Sequence, residues 1–138
     1  MTTMQISLRP GQKLFLNGAV VRVDRKVTLE LMNDATFLLD NHVMQPNETT
    51  TPLRQLYFVV QTMLIDPATA DATGKLFKEM HAAVSDIFHS RPVQSGLAEV
   101  GELVERGRVF DALRALRNLF PVEASVLAAR AEAKAEAA

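Results

Sequence analysis

The sequence predicts an α+β fold, an N-terminal antiparallel β-sheet of hairpins or a meander packed against a C-terminal helical part of about four helices. Two observations predict it. Up to about residue 45, apolar and polar residues alternate with period two between turn dipeptides, and from about residue 52 apolar residues recur at helical spacing. The change falls at Gln45-Pro46-Asn47-Glu48. It divides the chain into a β-sheet part (1–45), a helical part (46–122) and an alanine-rich tail (123–138), helical or disordered.

Each strand has its own signal. Ile6 and Leu8 alternate with Gln5, Ser7 and Arg9 before a turn at Pro10-Gly11. Leu14-Phe15-Leu16 and Ala19-Val20-Val21 flank Asn17-Gly18. Asn-Gly between apolar runs marks a two-residue hairpin, because both residues accept the positive φ of a type I′ turn. Val27, Leu29 and Leu31 share one face of the next strand, Asn33-Asp34 reads as a turn, and Thr36 to Leu39 as a last strand.

The helices follow. Thr50 or Thr51 can cap a helix whose first position is Pro52. Its apolar residues run nearly all round from Leu53 to Ile65, which predicts a central, buried helix or an interface, and Asp66-Pro67 ends it. A second helix is expected over 70–89 with Leu76, Met80, Val84, Ile87 and Phe88 as its buried stripe. A third is expected over 94–105. A fourth, over 108–120, turns Val109, Phe110, Leu113, Leu116 and Phe120 inward and Arg114 and Arg117 outward, and stops at Pro121. The Arg106-Gly107-Arg108 joint predicts an antiparallel helical hairpin.

Charge is unevenly spread. Residues 1–29 hold the bases Arg9, Lys13, Arg22, Arg25 and Lys26 against one acid, Asp24, so five minus one leaves +4 in a chain whose formal total is −1. Such cations can neutralise phosphates, and guanidinium planes can stack on unpaired bases. They can equally be a solvated strand face that discourages edge-to-edge pairing. An aromatic platform is not expected: Phe15 and Phe37 are the aromatics of the β part, and Tyr57 reads as a buried ring with a bonded hydroxyl.

Several function classes are disfavoured. With no cysteine in 138 residues, disulfides, thiolate metal sites and cysteine nucleophiles are excluded. His81 and His89 stand eight apart and cannot share a metal as an i, i+4 pair would. Ser85, Asp86 and His89 form a local cluster without an oxyanion hole. His42 is expected exposed in a loop. No enzyme, cofactor or metal is expected. The N-terminus lacks a basic and apolar leader, and the longest apolar run is far shorter than a membrane span, so a cytoplasmic protein without membrane contact is expected.

Two segments carry a resemblance. Leu8 to Val21 fits L-x-P-G-x-x-L-x-(I/L)-N-G-A-V, and Thr50 to Asp66 is similar to T-T-P-x-R-x-L-Y-F-x-x-Q-x-M-x-x-D. Together with Phe110-Asp111-Ala112-Leu113-Arg114-Ala115-Leu116-Arg117, they resemble the FlbT family, bacterial regulators of flagellin synthesis, over residues 5–123. Gln12 departs from the acidic residue the pattern has after Pro-Gly. The resemblance implies a post-transcriptional repressor that binds the 5′ untranslated leader of flagellin mRNA, lowers translation and promotes decay; in some members the effect on flagellin is positive. The residues that would grip RNA are Arg9, Lys13, Arg22, Arg25 and Lys26, with Asn17 and Gly18 as a structural turn. The alternative is an adaptor that holds flagellin or another flagellar factor in a groove of the helical hairpin, without RNA contact. A homo-oligomer is compatible with either.

Overall fold

The computed structural model describes residues 4–17, 19–33, 35 and 37–137. Its elements are β1 (Met4–Leu8), β2 (Lys13–Leu16), β3 (Ala19–Arg22), β4 (Val27–Leu31), β5 (Phe37–Leu39), α1 (Pro52–Ile65), α2 (Ala70–Ile87), α3 (Arg91–Glu105) and α4 (Val109–Ala137). The α+β prediction is correct, but the strand order is not that of a simple meander. β1 pairs with β4 in one two-stranded sheet, and β3-β2-β5 form another, all antiparallel.

The two sheets are one bent ribbon. Leu8 faces Val27 and Lys13 faces Arg22, so residues 9–12 and 23–26 are spent on the bend in equal number and the register does not slip. Gly11 N–H donates to the Val23 carbonyl at 2.7 Å, which ties the two halves of the bend together. Gly11 has φ +79°, a conformation that costs glycine little because it has no Cβ. Folding the ribbon back buries Ile6, Leu8, Leu14 and Phe37 between the layers, with Val27 and Leu29 packed beside them. At the ribbon tip Leu16 faces Ala19 across a two-residue turn, and Asn17 has φ 49° as an Asn-Gly turn requires. Gly18 itself lies outside the described residues.

Alternation then sends the other face of β2 and β5 to the helices: Phe15 and Leu38 are opposite each other and join the helical core. That core is built around α1, as its apolar circumference predicts. Thr51 caps it, its hydroxyl oxygen accepting from Arg54 N–H at 3.2 Å. Leu53, Leu56, Tyr57, Val60 and Leu64 are buried among α2, α3 and α4 residues. Gln61, also buried, donates to the Met44 carbonyl at 2.9 Å and accepts from Met44 N–H at 2.6 Å. These two hydrogen bonds to one residue fasten the loop after β5 onto α1.

Three helical expectations need correction. The buried side of α2 is Thr73, Phe77 and Val84, continued by Phe88, whereas Leu76 and Ile87 are 46% and 42% exposed. Thr73 is accommodated on the buried side because its hydroxyl donates to the Thr69 carbonyl at 2.7 Å. Helix α3 starts at Arg91, three residues early, because proline is tolerated in a first turn and Pro92 is its second residue. Helix α4 does not stop at Pro121 but continues to Ala137. Beyond the proline, Glu123 is buried and Val126 and Leu127 pack on the core. The α3–α4 joint turns as expected, with Gly107 at φ +76° and Arg108 N–H donating to the Leu103 carbonyl at 2.8 Å.

Candidate nucleic-acid interface

Period-two alternation places Lys13 and Arg22 on the same side of the ribbon, directly across from each other. Two like charges in that position repel and destabilise the pair. Arg9 follows β1 and Lys26 precedes β4, so both stand just past the Leu8–Val27 pair, and Arg25 adjoins Lys26. All five cations therefore lie in the bend or on the strand pair that bounds it, and all five are exposed. Among the described residues the ion pairs are Arg25–Asp24 at 3.1 Å and Arg108–Asp111 at 2.6 Å. The first joins chain neighbours whose side chains are about four-fifths exposed, so water and salt screen it heavily. Among the described residues, no carboxylate of the helical part forms an ion pair with these cations.

The bend adjoins two surfaces. Along one side runs β3, the edge of its sheet, with all four residues exposed and Val20 at 60%. On the other, Arg9, Pro10, Gly11, Gln12, Asp40 and Asn41 line a depression of about 450 Å³. Gln12 shapes this wall: its side-chain oxygen accepts from Arg9 N–H at 3.0 Å, and its N–H donates to the Arg9 carbonyl at 3.0 Å.

The other candidate residues fall elsewhere. Tyr57 is 1% exposed, with its hydroxyl bonded as expected. His42 is half-buried rather than exposed, because the loop carrying it is drawn onto α1 by Gln61 and by Tyr57. Arg117 is also half-buried, not outward, and donates to the Tyr57 hydroxyl at 3.0 Å. Among the described residues no three His, Asp or Glu side chains are grouped to hold a metal ion, and no helix is long and apolar enough to cross a membrane. Sequence reasoning missed Glu123, whose carboxylate accepts from Leu53 N–H at 2.8 Å and from the Thr51 hydroxyl at 2.5 Å. The signal available for it was an acid four residues after Leu119, an apolar residue that is buried in the core, in a segment that looked solvated.

Residues 4–127 match the family described as "Flagellar protein FlbT". The chain belongs to the FlbT family. Proteins named "Probable flagellum biosynthesis repressor protein FlbT" from Brucella abortus (strain S19) and Brucella ovis are each 51% identical to it over 129 residues, covering 94% of this chain and 85% of theirs. The protein of the same name from Brucella anthropi is 50% identical over 124 residues, covering 90% of this chain and 82% of its own. No solved structure matches. The match to the FlbT family spans the whole bent ribbon and α1 to α3, and it reaches into α4 past Pro121 and Glu123.

Proposed function

We propose that this chain represses flagellin synthesis after transcription, by binding the 5′ untranslated leader of flagellin mRNA and thereby lowering translation and promoting decay of the message. Membership of a family whose relatives are named as flagellum biosynthesis repressors supports the repressor reading. The observation that carries RNA contact is the bend: five exposed cations on one unslipped turn of the ribbon, with Lys13 and Arg22 opposed and unneutralised. A like-charged cross-strand pair is a cost to folding. Polyanion binding removes that cost and releases counterions from the phosphates. Occlusion of the ribosome, or presentation of the message to nucleases, then follows from leader occupancy.

The test is a gel-shift titration with flagellin leader RNA. Arg22→Glu with Arg25→Glu turns two attractions into repulsions, and affinity is expected to fall by about tenfold or more. A double variant that titrates like the wild type would remove the bend as the binding face.

An adaptor reading is favoured by a different observation. A cavity of about 630 Å³ opens between α1, α2 and the α3–α4 joint, lined by Met63, Phe77, His81, Val104 and Val109 among others, and it would suit an apolar segment of a flagellar protein. Salt separates the two readings: RNA affinity falls several-fold or more between about 50 and 200 mM salt, while an apolar contact changes little.

A further inference from the structure

We infer that the depression beside the bend receives an unpaired guanine of the bound RNA, read by the Asp40 carboxylate on one edge and the Arg9 guanidinium on the other. The inference rests on the RNA reading above and adds to it the base that is recognised.

Asp40 is the residue that makes this surface unusual. β5 pairs with β2 so that Leu39 faces Leu14, which puts Asp40 one position further on, beside Lys13. It shares the depression with Arg9. An exposed carboxylate flanked by two cations would ordinarily close onto one of them. Here its side chain has neither an ion pair nor a hydrogen bond to any described residue. Opposite charges that line one hollow without touching leave room for a group that donates to the first and accepts from the second.

Guanine is the base with that pattern. Its N1–H and N2 amine are adjacent donors that match the two oxygens of a carboxylate. Its O6 and N7 are the acceptors that an arginine fork takes. Adenine and cytosine offer one exocyclic amine beside ring acceptors, so a carboxylate meets repulsion where guanine gives it a second bond. The Gln12 amide and Asn41 supply further polar walls, and nothing lies within 4 Å of where a Cβ on Gly11 would stand, so the hollow is open on that side. Flanking phosphates then reach Lys13, Arg22, Arg25 and Lys26. A carboxylate on a polyanion-binding face weakens every complex in which it reads nothing. Its place among these cations is therefore a device for choosing a base rather than for raising affinity, as unpaired bases in single-stranded RNA allow.

The experiment is fluorescence anisotropy with the full chain and an oligouridine carrying one guanine, or inosine or adenine in its place. The wild type is expected to bind the guanine oligomer roughly tenfold more tightly than the adenine one, with inosine, which lacks the N2 amine, in between. Asp40→Asn should erase the preference by weakening guanine binding while leaving adenine binding equal or tighter. Arg9→Lys, which keeps the charge but loses the fork, should also lower the preference while preserving the salt dependence. If the wild type binds all three oligomers equally, or Asp40→Asn tightens all three alike, the guanine site is overturned and the RNA reading survives. If the wild type binds none of them nor the leader, the RNA reading itself fails and the site falls with it.

Discussion

Tyr57 is the one tyrosine of the chain, and its hydroxyl joins three elements. From α1 it donates to the His42 carbonyl at 2.5 Å and accepts from Arg117 of α4 at 3.0 Å. Burial raises its pKa above the ordinary 10, and the bond and charge of Arg117 pull part of the way back. A group that keeps its proton longer when folded loses stability for the fold as pH rises beyond 10. Ultraviolet titration should therefore place the phenolate midpoint above 10, and Arg117→Met should move it higher still. Burial, then the Arg117 charge, hold His42 below its usual 6.5. The unfolded chain takes up that proton first, so stability present above pH 6.5 declines as pH falls from 6.5 toward the folded value. Glu123 makes a stronger claim. Glu123→Ala strands Leu53 N–H and the Thr51 hydroxyl at a buried helix start, and denaturant unfolding should show a loss of about 2–3 kcal/mol. Tyr57 was readable in the sequence as a buried ring with a bonded hydroxyl, since its neighbours are apolar. Glu123 was not, because a buried carboxylate is recognised only by donors that lie seventy residues away in the chain.

At the scale of elements, local rules sufficed wherever the deciding contact was local. Asn17 before Gly18 marks the ribbon tip, Thr51-Pro52 starts α1, and Gly107 turns α3 into α4; each follows from dihedral preference or capping within a few residues. The misread elements are those where tertiary packing overrides the local rule. Pro121 removes one backbone donor and crowds the preceding turn, yet α4 continues because Glu123, Val126 and Leu127 are held by the rest of the molecule. Two truncations separate those contributions. A chain ended after Arg130 keeps the Arg130 bond to the Ile87 carbonyl, and residues 131–136, which it loses, are all exposed, so its unfolding midpoint should stay close to wild type. A chain ended after Pro121 loses the cap and the packing together, and should be destabilised by about 3 kcal/mol or more. At the bend, Gly11→Val meets no neighbour but must hold a β-branched residue at φ +79°, which should cost at least about 1 kcal/mol in the same measurement.

For the whole molecule, the helical part holds the larger core and the ribbon carries the cluster of five cations. The pairing of β1 with β4 across the bend was not legible in the sequence, because neighbouring strands joined by short turns suggest a meander as readily as a folded ribbon. The five cations were legible as composition, but their places in and beside one bend depended on a register that only the fold reveals. That register also sets a test in which stability and binding move in opposite directions. Arg22→Glu faces Lys13 with an opposite charge, so the fold should gain a few tenths of a kcal/mol while RNA affinity drops, which rules out unfolding as the cause of lost binding. The most direct measurement is the salt dependence of leader affinity for wild type and for Arg22→Glu with Arg25→Glu. Wild-type affinity should fall linearly with salt on logarithmic axes, and the slope of the double variant should be shallower by about two. Parallel lines for the two proteins, or a wild-type affinity indifferent to salt, would contradict a polyanion-binding bend.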